Sequence, residues 1–507
     1  MRSESYSIES APFVLINTND GWVLGQNSMG VRTFKGIPYA APPVGELRWR
    51  PPQPPKKWNG IRPALQFGPA PLQALPPSSS LIYRMNNHDA HALVMSEDCL
   101  YLNVWTPAES SGTNLPVLVW IHGGGNKSGH GGQDLFDGHY LATKGVVVVT
   151  INMRLGALGF FSHPELIEED DLNASGNYGL QDVVAALRWV QANITNFGGD
   201  EKRVTLAGNS AGAASITHLM AAPAAKGLFQ QAIGQSASGV FRPEGRMTDQ
   251  LEASKAGAQS VSELGGCLDQ LRKMDATHFL KIPPQGIIVD GRLLFEDTTG
   301  VFLEGRQADI PLMVGWNSDE GTLFNSPTAV EALRPSQSTP EQLAVLAGTY
   351  PAVFSENGIG AEREFVGDRK FVYPVWKWAE THAKTSTSQT WVYEFNHSLP
   401  LPSDIPSPAD GQSHYGTFHT AELPYVWGNL WARRWDWTDQ DHALAAQLSG
   451  AWVQFIKTGE PVLENAPKWP ALDPSAPRQL MELGGSPKPK TVARLAAFKV
   501  FDEMYSR

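Results

Sequence analysis

Short apolar runs with few polar interruptions punctuate the chain: VLVWI (117–121), VVVVTIN (146–152), VTLAG (204–208), PLMVGWN (311–317) and WVYEF (391–395). A strand with one wet face alternates apolar and polar positions, whereas a continuous apolar run fits a strand covered on both faces. Between these runs the period changes. In LQDVVAALRWVQANI (180–194), Val183, Leu187, Val190 and Ile194 fall on one side of a helix. ALAAQLSGAWVQFIKTG (443–459) reads as a second helix, with Gly459 as its stop. Strands alternating with helices predict an α/β chain: a mostly parallel central sheet with helices on both faces. Two proline-rich patches, 36–55 and 399–411, read as surface loops. No repeat, low-complexity tract or change of composition divides the chain, so residues 1–507 are expected to form one domain.

Composition narrows the function. Hydrophobic residues make up 42% and charged residues 18%, which suits a large packed core and argues against disorder. The net charge of −11 disfavours a phosphate backbone as partner, so no nucleic acid is expected. No apolar run reaches the length of a membrane span. The N-terminus lacks the pattern of a secretory signal: Glu4 and Glu9 stand where a basic start is needed. Its two cysteines, Cys99 and Cys267, suit a reducing compartment better than a disulfide framework. A cytoplasmic location is the expectation, with a trimmed secreted form left open. Oligomeric state cannot be read from these features.

One octapeptide carries chemistry. LAGNSAGA (206–213) places Ser210 among side chains stripped of bulk, between the strand VTLAG and a helix-compatible stretch, AGAASITHLMAAP. Gly208, Ser210 and Gly212 form G-x-S-x-G, the pattern of a sharp strand-to-helix turn that projects a strained serine hydroxyl. Glycine belongs at 208 and 212 because a side chain there would collide with backbone. A plain tight turn would also favour small residues, so the motif needs a companion. IHGGGNKSG (121–129) supplies one: three glycines follow the strand VLVWI. A loop without side chains can bring several N–H groups against one developing oxyanion.

These segments have a resemblance. GIPYAAPPVGELRWRPP, SEDCLYLNVW (96–105), HGGGNKSG, GNYGLQDVVAALRWVQANITNFGGD (176–200) and VTLAGNSAGA are similar, in the same order, to segments of the type B carboxylesterases, the family that includes cholinesterases. The resemblance runs from about residue 14 to beyond 455. It implies an α/β-hydrolase fold with long loop insertions over the active site, and a Ser–Glu–His triad hydrolysing small-molecule esters through an acyl-enzyme. Ser210 would be the nucleophile, and Gly124, Gly125 and Ala211 would offer the oxyanion N–H groups. The family's acid falls in GWNSDEGTLF (315–324) at Glu320, chosen over Asp319 by the family pattern alone. Its histidine falls in FHTAELPYVWGN (418–429) at His419, with His414 the nearest rival. The chain order serine, acid, histidine matches that fold. No metal or organic cofactor is implied.

Departures from the family bear on substrate. The residue after the glycines, often aromatic in relatives, is Asn126; the residue before the serine, often Glu, is Asn209. Both are expected, with Phe324, to line the substrate pocket. Many relatives carry a disulfide from the SEDCL cysteine to an earlier one; here that stretch reads FGPAPLQ (67–73) and has none. The partner usual for a cysteine at Cys267 is also missing, so both thiols are expected to be free. The loop LQALPPSSSLIYRMNNHDAHALVM (72–95), where cholinesterases place a tryptophan, has Tyr83 as its one aromatic. Neutral esters are therefore the expected substrates. Two alternatives remain: a catalytically silent adhesion-type relative, and a hydrolase specialised for a lactone, amide or toxin ester.

Overall fold

A computed structural model describes residues 12–505, apart from 76–82, 84–92, 238, 242–245, 266, 325–338, 352, 354–361, 404, 406, 408–413 and 477. The described part of the proline-rich segment at 399–411 is short, and most of the 72–95 loop lies outside the described residues.

The five apolar runs are strands: β8 (Leu115–Ile121), β9 (Val147–Ile151), β10 (Gly199–Asn209), β12 (Leu312–Asn317) and β13 (Thr390–Phe395). With β11 (Gln231–Gln235) and β14 (Gln479–Leu483) they form a parallel block in the order β9-β8-β10-β11-β12-β13-β14. Antiparallel strands extend both sides. β1 (Phe13–Thr18), β2 (Gly21–Ser28), β3 (Val31–Pro38) and β7 (Tyr101–Thr106) precede β9, and β15 (Lys488–Thr491) pairs with β14. The short β4 (Ile61–Pro63) pairs with β2, and β5 (Ala70–Pro71) with β6 (Met95–Ser96) makes a separate ribbon.

The continuous apolar runs have a direct cause in packing. Val117, Val119 and Ile121 of β8 enter one core, while Leu118 and Trp120 enter another on the opposite face. Val147 and Val149 against Val148 repeat that split in β9. Helices α1 (Tyr178–Asn193) and α2 (Ala211–Ala221) cover the first face through Val183, Leu187, Val190, Ile216 and Leu219. Helix α3 (Tyr373–Thr385) joins them through Trp376 and Trp378. Helix α4 (Asp439–Thr458) covers the other face with Leu444, Leu448, Trp452 and Phe455, and Gly459 ends it at φ 78°. Burying a Leu- or Trp-sized side chain on either face is worth about 1.5–3 kcal/mol.

One expectation is corrected. The proline-rich stretch 36–55 is surface only in part: residues 37–40, Pro43, Arg48 and Trp49 are buried, while Pro42, residues 44–46, Gln53 and Pro54 are exposed. Trp49 is 1% exposed, donates from Nε1 to the Ala157 carbonyl at 2.9 Å, and packs on Phe161 and Phe279. Arg48 forms a bidentate pair with Glu97 at 2.7 and 2.6 Å. Turn-forming prolines mark where the backbone bends; the aromatic and aliphatic side chains between them decide whether the bend is buried. No helix of the described residues is long and apolar enough to cross a membrane.

The two cysteines are free and lie in opposite environments. Cys99 is buried, and burial pushes its thiol well above the usual range, whereas Cys267 is exposed. Thiolate is the reactive form. In the native protein a thiol reagent should therefore titrate one sulfhydryl, at Cys267. After denaturation without reductant it should titrate both. No free thiol in the denatured chain would contradict the structure.

Candidate active site

The first element is the turn between β10 and α2. Ser210 has φ 55° and ψ −122°, a conformation that costs a non-glycine residue roughly 1–3 kcal/mol and persists only when its surroundings impose it. They do so through close contact. A Cβ on Gly212 would stand 2.2 Å from the Ile121 carbonyl oxygen and 2.7 Å from that of His122. A Cβ on Gly208 would stand 2.7 Å from the carbonyl carbon of Gly212. The helix start is thus pressed against the end of β8, and glycine is the residue that fits. The Ser210 N–H donates to the Gln235 carbonyl at 2.8 Å, and its own carbonyl accepts from Ala214 N at 2.8 Å. The first N–H groups of α2, beginning with Ala211, have no partner inside the helix.

The glycine loop leaves β8 beside this turn. A Cβ on Gly123 would lie 3.0 Å from the Asn209 carbonyl and 3.2 Å from the Ser210 Cβ. Gly124 (φ 112°) and Gly125 (φ 65°) occupy the left-handed region. Two side chains brace the loop. The His122 Nδ1 bonds the Gly123 carbonyl at 2.8 Å, and burial pushes this imidazole down to about 4, so the ring is neutral and Nδ1 carries the hydrogen. Gln73 grips Gly129 from the other side, accepting its N–H at 2.7 Å and donating to its carbonyl at 3.0 Å.

Glu320 and His419, far apart in sequence, meet beside the serine turn. Glu320 opens a 3-10 turn just after β12 and is 1% exposed. Its Oε2 lies 2.6 Å from His419 Nδ1. Its Oε1 accepts from Ser236 Oγ at 2.5 Å and from Asn317 N at 2.8 Å, which fixes the carboxylate's angle. Asp319 has a different task. It accepts from Ser318 Oγ at 2.7 Å and Thr417 N at 2.9 Å, and its own N–H donates to the Thr417 carbonyl, tying the histidine's loop to the end of β12. His414 is exposed, and its Nδ1 accepts from Gly416 N at 3.1 Å. Phe371 stacks on the His419 ring with centroids 4.3 Å apart and planes 26° apart, and Phe324 meets it edge-on at 5.2 Å. A second buried carboxyl, Glu422, accepts from Asn317 Nδ2 at 2.7 Å and Gln235 Nε2 at 2.8 Å; burial and the charge of Glu320 push it up.

The serine turn, the glycine loop and His419 converge on a cavity of about 550 Å³. Ser210, His419, Gly124, Gly125, Ala211, Asn126, Asn209 and Phe324 border it, while Glu320 lies behind His419. Ser210 and His419 make no hydrogen bond to each other among the described residues; such contacts tighten when a substrate is seated. Periodicity and motif gave no sign of Phe371, Lys370, Ser236 or Gln73. Phe371 and Lys370 sit on a π-turn, Asp368–Val372, inside the long β12–β13 connection. π-turns interrupt helical spacing and occur often at functional sites. A separate cavity of about 440 Å³ lies against β2, β3 and Gly428–Trp431, and none of these site residues borders it.

The chain is similar to known proteins over nearly its whole length. The model of the carboxylesterase family matches residues 12–499. The fumonisin B1 esterase of Sphingopyxis macrogoltabida is 36% identical over 489 residues, covering 91% of this chain and 85% of its own. The para-nitrobenzyl esterase of Bacillus subtilis is 35% identical, covering 90% and 92%. Among solved structures, a carboxylesterase of Geobacillus stearothermophilus superposes with a TM-score of 0.79 at 30% identity, over 97% of this chain and 99% of its own. Fold, motif order and full-length similarity therefore agree, and the chain belongs to the carboxylesterase family.

Proposed function

We propose that this carboxylic ester hydrolase works through Ser210, His419 and Glu320, on neutral rather than cationic esters. The observation that carries the reading is the shared cavity: a strained serine, a glycine loop and a histidine paired with a buried glutamate all face it. His419 takes the Ser210 proton as the hydroxyl oxygen attacks the ester carbonyl carbon. Glu320 keeps Nδ1 protonated, leaving Nε2 to act as base, and stabilises the imidazolium that forms. The Gly124, Gly125 and Ala211 N–H groups bind the oxyanion. His419 then gives its proton to the departing alcohol. Water repeats the sequence on the acyl-enzyme and releases the acid and the free serine.

The lining supports the preference for neutral esters. Choline-type groups are held by aromatic faces, tryptophan best, and by nearby carboxylates. Among the described residues the cavity has no tryptophan, aspartate or glutamate on its wall, and Asn209 is uncharged. Relatives bear names as different as fumonisin B1 esterase and cocaine esterase, which supports ester hydrolysis in general and no one alcohol.

Two outcomes are expected. Ser210→Ala should lower turnover on the order of 10³-fold or more with the fold intact, and His419→Gln should be comparably inactive. Wild-type-like turnover in either, or collapse in His414→Gln instead, would reassign the roles. Butyrylcholine should show a lower kcat/KM than its uncharged isostere 3,3-dimethylbutyl butyrate, by at least the roughly 0.5–2 kcal/mol of one cation–π contact. Equal or better turnover of the choline ester would overturn the neutral preference.

A further inference from the structure

Among the described residues the wall of the cavity is charged in one sense only. Lys370 is the single lysine or arginine on it, and no carboxylate shares it among the described residues. The neighbours of Lys370 on the π-turn are otherwise engaged. Arg369 is 5% exposed and stacks over Phe501 at 5.1 Å. Asp368, the nearest acid in sequence, is buried; it accepts from Arg494 Nη2 at 2.9 Å and from the Tyr350 hydroxyl at 2.7 Å. Lys370 makes no ion pair among the described residues. It points instead along the aromatic wall, its ammonium 5.2 Å from the Phe324 ring centroid. That ring is 5.2 Å from the His419 imidazole. The ammonium and the imidazole are thus no further apart than those two spacings laid end to end.

A lone cation inside a partly enclosed, largely uncharged cleft raises the local concentration of anions and gains most from a partner that reaches it. A carboxylate attached a few bonds from a scissile ester would do so while the carbonyl sits on Ser210. We propose that Lys370 is a specificity residue that selects esters bearing a second, free carboxylate: half-esters of short diacids, or acyl esters of short hydroxy acids. The inference rests on Ser210 as nucleophile and extends the reading of substrate charge: cationic esters stay disfavoured, and an anionic ester is favoured over its neutral isostere. The bond broken is the same, and the products are a diacid with an alcohol, or an acid with a hydroxy acid. The carboxylate can lie on the acyl or the alcohol part, and the two arms of the test separate these.

The acyl arm compares monoethyl glutarate with ethyl 4-carbamoylbutanoate, its neutral amide. The alcohol arm compares 3-(butyryloxy)propanoate with the corresponding amide. The quantity read is the ratio of kcat/KM for the charged over the neutral ester, at low and high salt, in wild type, Lys370→Gln, Lys370→Glu and Lys370→Arg. The ratio is expected to fall on the order of tenfold in Lys370→Gln in one arm, the size of a lost charge-assisted contact. It should fall further in Lys370→Glu and be kept in Lys370→Arg. In wild type it should weaken as salt rises. The arm that responds identifies the part of the ester that carries the carboxylate. An unmoved ratio in both arms overturns the proposal. Ser210→Ala, assayed beside them, separates two failures: turnover persisting there removes the nucleophile reading itself. Turnover lost there, with the ratio unmoved by Lys370→Gln, removes only the role of Lys370.

Discussion

A carbonyl oxygen at the end of β8 stands where a side chain on Gly212 would have to be, and the candidate active site is arranged around that contact. It lets the start of α2 approach the sheet closely enough to force Ser210 into a conformation it would not choose. The same approach sets the glycine loop against Asn209 and Ser210. Ser210 and the glycine loop therefore share one constraint, imposed by the parallel pairing of β8 with β10. The two flanking faces of the sheet hold those strands in place, and the strain is offset by burial spread over the two cores.

The two buried carboxyls of the site are held by the neighbouring strand ends. Gln235 at the end of β11 and Asn317 at the end of β12 hold Glu422, while Asn317 N and Ser236 hold Glu320. Both carboxyls are buried, and burial together with the charge of Glu320 favours the protonated form of Glu422. Of the two, Glu320 is the carboxyl that meets the His419 imidazole, at 2.6 Å from Nδ1. Asp319 and Phe371 fix the position of that imidazole, the first by holding its loop and the second by stacking on its face.

Much of this was legible in the chain. The strands of the parallel block announce themselves because a sheet covered on both faces needs apolar residues at every position. The Ser210 turn is legible because close backbone approach demands glycine at fixed offsets. The antiparallel strands β1 to β3 were not, since they are partly exposed: Phe13, Leu15 and Trp22 face outward and blur the pattern. Lys370 and Phe371 were invisible for another reason. A π-turn breaks helical spacing, and their neighbours in space come from Phe324 and His419, far away in sequence. Trp49 shows the converse error: a segment rich in turn formers was read as surface, and its aromatic residue put it in the core.

The central claim is that Ser210 is the one activated hydroxyl of this chain. A fluorophosphonate reagent reacts with such a serine and leaves a stable phosphonyl ester, with fluoride and a proton released. Labelling the folded protein, digesting it and locating the adduct by mass spectrometry tests the claim directly. The account predicts a single adduct on Ser210, formed in step with loss of esterase activity and suppressed in His419→Gln. An adduct on a different serine, or loss of activity with Ser210 unmodified, would contradict it.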